Sequence, residues 1–172
     1  MRVLVIAATL SLGAAWAQQY TSPPAQATTR IHGKEFKVDY FSPGMHGRKI
    51  YGNVVRWDWL WSIGANRTSV FITPFDIHIG SLDLPKGTYS IWAIPNETEW
   101  TLTFNKQWGQ GYLEYDEDED LGDTKMTVRV LKDPVENLTI EVKAEGDNGG
   151  RLVISWENTE ASAPFTISEQ TR

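Results

Sequence analysis

Leu138-Thr139-Ile140-Glu141-Val142-Lys143 and Leu152-Val153-Ile154-Ser155-Trp156 flank the loop Glu145-Gly146-Asp147-Asn148-Gly149-Gly150. Side chains on a strand point alternately to opposite faces, so Leu138, Ile140 and Val142 share one face of the first run. Leu152, Ile154 and Trp156 share one face of the second, which places Trp156 in the core. Gly, Asp and Asn tolerate the backbone angles of a tight reversal, so the unit is a β-hairpin.

The same grammar extends upstream. Residues 36–40 (FKVDY) alternate cleanly, and 70–73 and 77–79 are short apolar runs broken by Pro74. Proline lacks the N–H that a central strand donates, so Pro74 marks a break or an edge. Gly80-Ser81 is a two-residue hairpin turn joining Ile77–Ile79 to Leu82–Leu84. Pro85-Lys86-Gly87 then launches a strand over 88–94, and Pro95-Asn96-Glu97 turns into another over 100–104. Residues 124–131 and 163–167 supply further strands. Nine or ten short strands with Gly/Pro turns predict an all-β chain, an antiparallel β-sandwich of jelly-roll or immunoglobulin-like type. Residues 54–62 fit two patterns: Trp57, Trp59 and Trp61 share a strand face, whereas Trp57 and Trp61 share a helix face.

The N-terminus carries an address. Arg2 precedes the apolar run 3–12, and Ala15-Trp16-Ala17 has the small-x-small form of a cleavage site. Residues 1–17 therefore read as a signal peptide, too short in its apolar part to span a bilayer, which takes about 20 residues. Residues 18–29, rich in Pro, Ser, Thr, Ala and Gln, read as an extended lead-in, 30–168 as one sandwich domain, and 169–172 as a tail. The expectation is an exported protein, periplasmic or extracellular, with no integral membrane anchor.

Composition narrows the chemistry. Cysteine is absent, which excludes disulfides, thiolate metal sites and a cysteine nucleophile. Loss of Arg2 with the signal takes Lys+Arg from 16 to 15 against 22 Asp+Glu, a mature net charge of −7. Such a balance suits solubility and opposes the grip on a polyanion, so no nucleic acid is expected as partner. His32, His46 and His78 show no H-x-H or H-x-x-x-H spacing, so no metal is expected. The acidic run 116–120 superficially suggests a calcium loop, but Leu121 stands where such a loop needs Gly and Thr127 where it needs Glu. No G-x-S-x-G elbow occurs, nothing singles out a carboxylate pair, and no cofactor is called for.

One series of blocks is more specific than any periodicity: Gly47-Arg48-Lys49-Ile50-Tyr51-Gly52, Trp61-Ser62-Ile63-Gly64-Ala65-Asn66, Leu84-Pro85-Lys86-Gly87-Thr88-Tyr89-Ser90, and Ile94-Pro95 with Trp100 beyond. Together with Ser22-Pro23-Pro24 at the start, these resemble a bacterial family of exported proteins, domain of unknown function 2911. The resemblance covers about residues 20–165 and implies a fold and a compartment. It brings no established activity. The family often has Arg after the Trp of its second block, where this chain has Ser62.

Candidate binding residues lie in loops, which are free of ladder bonding and can present side chains. Residues 42–48 and 57–66 combine a guanidinium fork (Arg48), a titratable ring (His46), an indole (Trp61) and an amide (Asn66). Arg48 and Asn66 also suit purely structural duty in tight turns. Trp108, Tyr112 and Tyr115 around Gly109-Gln110-Gly111 form a second place for stacking a planar or sugar ligand. The leading expectation is a non-catalytic envelope module binding a small molecule, a glycan or an envelope protein. A hydrolase built from loop acids and His46, and a structural accessory protein, are the alternatives.

Overall fold

A computed structural model describes residues 22–168; the expected signal peptide, the start of the lead-in (18–21) and the tail lie outside them. The described residues form nine strands: β1 (Pro24–Ile31), β2 (Lys34–Phe41), β3 (Ser69–Thr73), β4 (Ile77–Ile79), β5 (Leu82–Leu84), β6 (Gly87–Ile94), β7 (Glu99–Asn105), β8 (Asp120–Ala144) and β9 (Gly149–Ile167). All pair antiparallel in one sheet of order β1-β2-β3-β6-β7-β8-β9-β4-β5. The fold is thus all-β and antiparallel as expected, built as a single sheet that does not close.

The 138–156 hairpin reaches further than its sequence pattern. Segments expected as separate strands, 124–131 and 138–143, are two stretches of β8, with register shifts between Val130 and Val135 and between Val135 and Thr139. Pro134 falls in that shifted segment, where a missing N–H costs no ladder bond. Likewise 152–156 and 163–167 both belong to β9, whose Glu157 takes a positive φ of 53°. The strand bends until its ends meet: Ile167 N–H donates to Asn148 C=O at 2.9 Å. β1 and β2 pack against β8, so the sheet rolls around one apolar core that includes Phe36, Phe71, Trp100, Phe104, Leu138, Ile154 and Trp156.

Two local expectations change. Most of the supposed lead-in is an edge strand, in register with β2 from Pro24↔Phe41 to Ile31↔Lys34. Its inward residues are small (Ala25, Ala27, Thr29) until Ile31, so hydrophobicity gave no signal. Proline at its first position is compatible with a strand start. Residues 57–62 are neither helix nor strand. They are turns pinned to the β6 end by Asp58 N–H to Pro95 C=O (2.8 Å) and a two-way bridge between Trp61 and Ala93. The Gly80-Ser81 hairpin stands as read, pairing Ile77↔Leu84 and Ile79↔Leu82.

Candidate functional site

The four residues singled out in the 42–48 and 57–66 loops have separate engagements. The first loop is stitched to β8: Met45 N–H donates to Glu136 C=O (2.8 Å) and Leu138 N–H to Pro43 C=O (2.9 Å). Arg48 directs its fork at its own loop, Nε to Met45 C=O (2.9 Å) and Nη2 to Gly44 C=O (2.7 Å). His46, at φ 49°, donates its backbone N–H to Glu136 Oε1 (2.8 Å) and leaves its ring exposed. Asn66, at φ 65°, donates to Ser22 C=O at 3.3 Å. Trp61 turns inward. It stacks on Trp156 (centroids 6.1 Å, 19°) and sets its edge against Tyr51 and Trp100. None of the four lines the groove on the outer face of the sheet.

That groove, about 950 Å³, runs over the outer face of β1, β2, β3 and β6. The register dictates its floor. Gln26 opposes Asp39, Asp39 opposes Val70, Lys37 opposes Ile72, and Ile72 opposes Thr88. These residues alternate with Val38 and Phe71, which are buried in the core, so they share the outward face. Lys37 Nζ pairs with Asp39 Oδ2 at 2.7 Å, and Gln26 Nε2 donates to Asp39 Oδ1 at 2.7 Å. The Asp39 carboxylate is therefore already satisfied by a cation and an amide.

The groove's far wall is the segment 106–119, which folds over the outer face of β6. This cover explains why β6 is buried on both faces, Ser90 and Trp92 as fully as Tyr89 and Ile91. Trp92 Nε1 and Gln110 Nε2 both donate to Ser90 Oγ, at 3.0 and 3.3 Å. Tyr115 packs on Trp92, with centroids 4.8 Å apart. A bridge between Arg67 and Gly111 ties the segment to the start of β3. Tyr115 OH donates to Asp120, and burial, followed by that bond and the nearby Asp120 and Glu117 charges, holds its phenol above the usual tyrosine range. Gln110, which is buried, and Tyr115, which is half-buried, thus form the anchored side of the segment.

Its free side lines the groove with Trp108 and Gly109, and the Trp108 indole is 58% exposed. Arg67 lines the groove too, exposed, and its guanidinium has no partner among the described residues. An indole face, an unpaired planar cation and a floor of Val70, Ile72 and Thr88 thus face one space. The sequence pattern pointed to Trp108 and Gly109. It placed Lys37 and Asp39 on a charged strand face, a usable signal, but nothing near Arg67 in sequence marked it.

Other titratable groups do not converge. His78 pairs with Asp83 on the exposed face of the β4–β5 hairpin. In the acidic run, Asp116 caps a single 3-10 turn (Glu117–Glu119) through Asp118 N–H, and Asp120 accepts from Asn105 Nδ2 (2.8 Å). Among the described residues no three of His, Asp and Glu are grouped to hold a metal ion. No helix there is long and apolar enough to cross a membrane.

The family model for proteins of unknown function DUF2911 matches residues 22–165, almost the whole of the described chain. The chain belongs to that family. No curated protein and no solved structure matches it. In this DUF2911 member, the Gly-Arg and Trp-x-x-Gly-Ala-Asn blocks of the sequence place Arg48 and Asn66 where they bond to backbone carbonyls. In this chain those two side chains hold turns together.

Proposed function

We propose that this DUF2911 protein is an exported binding module of the bacterial envelope that holds a ligand in the outer-face groove without transforming it. The observation that carries the reading is the groove itself: about 950 Å³, within the usual span of about 300–1,000 Å³ for ligand sites, with an exposed indole and an unpaired guanidinium on its lining. Sites of this composition bind by stacking and by a few placed polar groups. Asp39, the groove's carboxylate, is tied to Lys37 and Gln26, which favours a binding role over acid–base chemistry. We read the rolled sheet as a sandwich in which β8 and β9 serve both layers, a rigid frame for such a face. The A-x-A motif at Ala15-Trp16-Ala17 supports export and cleavage after Ala17.

A thermal-shift screen of sugars, small acids and aromatic acids tests the reading. A ligand that binds only the folded state raises Tm in proportion to RT ln(1 + [L]/Kd). Hits should stabilise the wild type and leave the double variant Arg67→Gln/Trp108→Ala unmoved. Hits that stabilise both proteins equally would place the site elsewhere and overturn the groove.

A further inference from the structure

We infer that the groove's ligand is an acidic oligosaccharide, a chain of sugars bearing carboxylates; this rests on the groove being the binding site and goes beyond it by naming the ligand's chemistry. Three observations lead there. The groove is an open trough across four strands, lined from Pro24 and Gln26 on the β1 edge to Thr88 on β6 and Trp108 on the covering segment. An open trough suits a chain that enters and leaves more than it suits a molecule to be enclosed.

The lining also matches a sugar ring in kind. A pyranose has an apolar C–H face and a polar rim, and an indole face takes the first while amide and ammonium groups take the second. Trp108 offers the indole, and Gln26 on β1 and Lys37 on β2 offer the further N–H donors that their bonds to Asp39 leave free. Val70 and Ile72 give a shallow floor without bulky projections.

Charge decides the acidic character. Lys37 and Asp39 neutralise each other at 2.7 Å, and Gln26 takes the second Asp39 oxygen. Among the described residues Arg67 is left as the groove's uncompensated charge, on a chain that is −6 overall. A guanidinium fork prefers a carboxylate bound through two parallel N–H bonds. The segment that presents Trp108 is held by the Arg67–Gly111 bridge and by the Gln110 Nε2 bond to Ser90 Oγ, so the backbones that carry the cation and the indole are tied together. A carboxylate on Arg67 with the adjoining sugar face on Trp108 satisfies both at once.

Calorimetry with a galacturonic-acid tetrasaccharide and with its neutral galactose counterpart tests the inference. The acidic tetrasaccharide should bind tighter by about tenfold or more, the worth of one charge-assisted bond, and its affinity should fall as salt rises. Arg67→Gln should erase the difference between the two ligands, and Trp108→Ala should weaken both. Both side chains are exposed, and unchanged circular dichroism spectra would confirm that the variants fold. Equal binding of the two tetrasaccharides, with Trp108→Ala still weakening both, would overturn the acidic ligand and leave the groove standing. Binding indifferent to both substitutions would overturn the groove as well. No binding of either sugar, beside hits of another class in the thermal-shift screen that the double variant loses, would overturn the oligosaccharide alone.

Discussion

Replacing Trp61 by alanine separates the two roles that its position permits, a ligand platform or a beam of the core. The ring stacks on Trp156 at 6.1 Å and meets Trp100 and Tyr51 edge-on at 6.0 and 6.3 Å. Aromatic pairs contribute about 0.5–1.5 kcal/mol each beyond buried area, and truncating a large core aromatic costs about 3–5 kcal/mol. Trp61 is only partly buried, which puts the expected loss near the low end, about 3 kcal/mol. For a chain of this length each kcal/mol moves Tm by about 2–4 °C, so Tm should drop by about 6–12 °C. Urea unfolding followed by far-UV circular dichroism gives the free energy directly, and an unchanged m-value would show that the folded state stays compact. Trp61→Phe should recover part of the loss. A Trp61→Ala protein within about 1 kcal/mol of wild type would refute the packing argument and return Trp61 to the list of binding residues.

Other substitutions probe the same frame. Tyr51 has a buried hydroxyl without a hydrogen-bond partner among the described residues, so Tyr51→Phe should be neutral or stabilising by up to about 1–3 kcal/mol, the cost of an orphaned polar group; clear destabilisation in urea would mean that the hydroxyl is bonded. Burial, then the Glu157 charge, raises the Tyr51 phenol above its ordinary value of 10.0. Its neutral form therefore favours the fold fully below pH 10 and progressively less as pH climbs above that; a Tyr51→Phe stability profile no shallower than wild type in that range would contradict the assignment. Gly80→Ala forces a Cβ to within 2.0 Å of Thr124 Oγ1 at a φ of +58°, and should cost more than the roughly 1–2 kcal/mol of the backbone alone, read as a Tm loss. Arg48→Ala should cost about 1–2 kcal/mol and speed amide exchange at Met45 and Arg48, while leaving ligand affinity unchanged; lost affinity with unaltered exchange would restore Arg48 as a binding residue.

Alternation made β2, β3, β6, β7 and the β4–β5 hairpin legible from sequence, because each presents one apolar face to the core. β1 was not legible: an edge strand of Ala and Thr buries little, and its pairing with β2 is fixed by the backbone ladder. The continuity of β8 was hidden by Pro134 and the polar residues around it, which sit in the register shift where no face is buried. At the site, Trp108 could be suspected as an aromatic beside glycines. Arg67 could not, since only the folding of 106–119 over β6 brings it to the same space. Arg48 and Asn66 have the donors that ligands need, and here backbone carbonyls of nearby loops use them.

Amide and indole chemical shifts of isotopically labelled protein, followed while the galacturonic-acid tetrasaccharide is added, bear most directly on where this protein binds. The largest changes should fall on the Trp108 indole N–H and on the amides of Arg67, Val70, Ile72, Thr88 and Gly109, which line one groove. Changes centred instead on residues 42–48 and 61–66, with the Trp108 indole unmoved, would contradict the account.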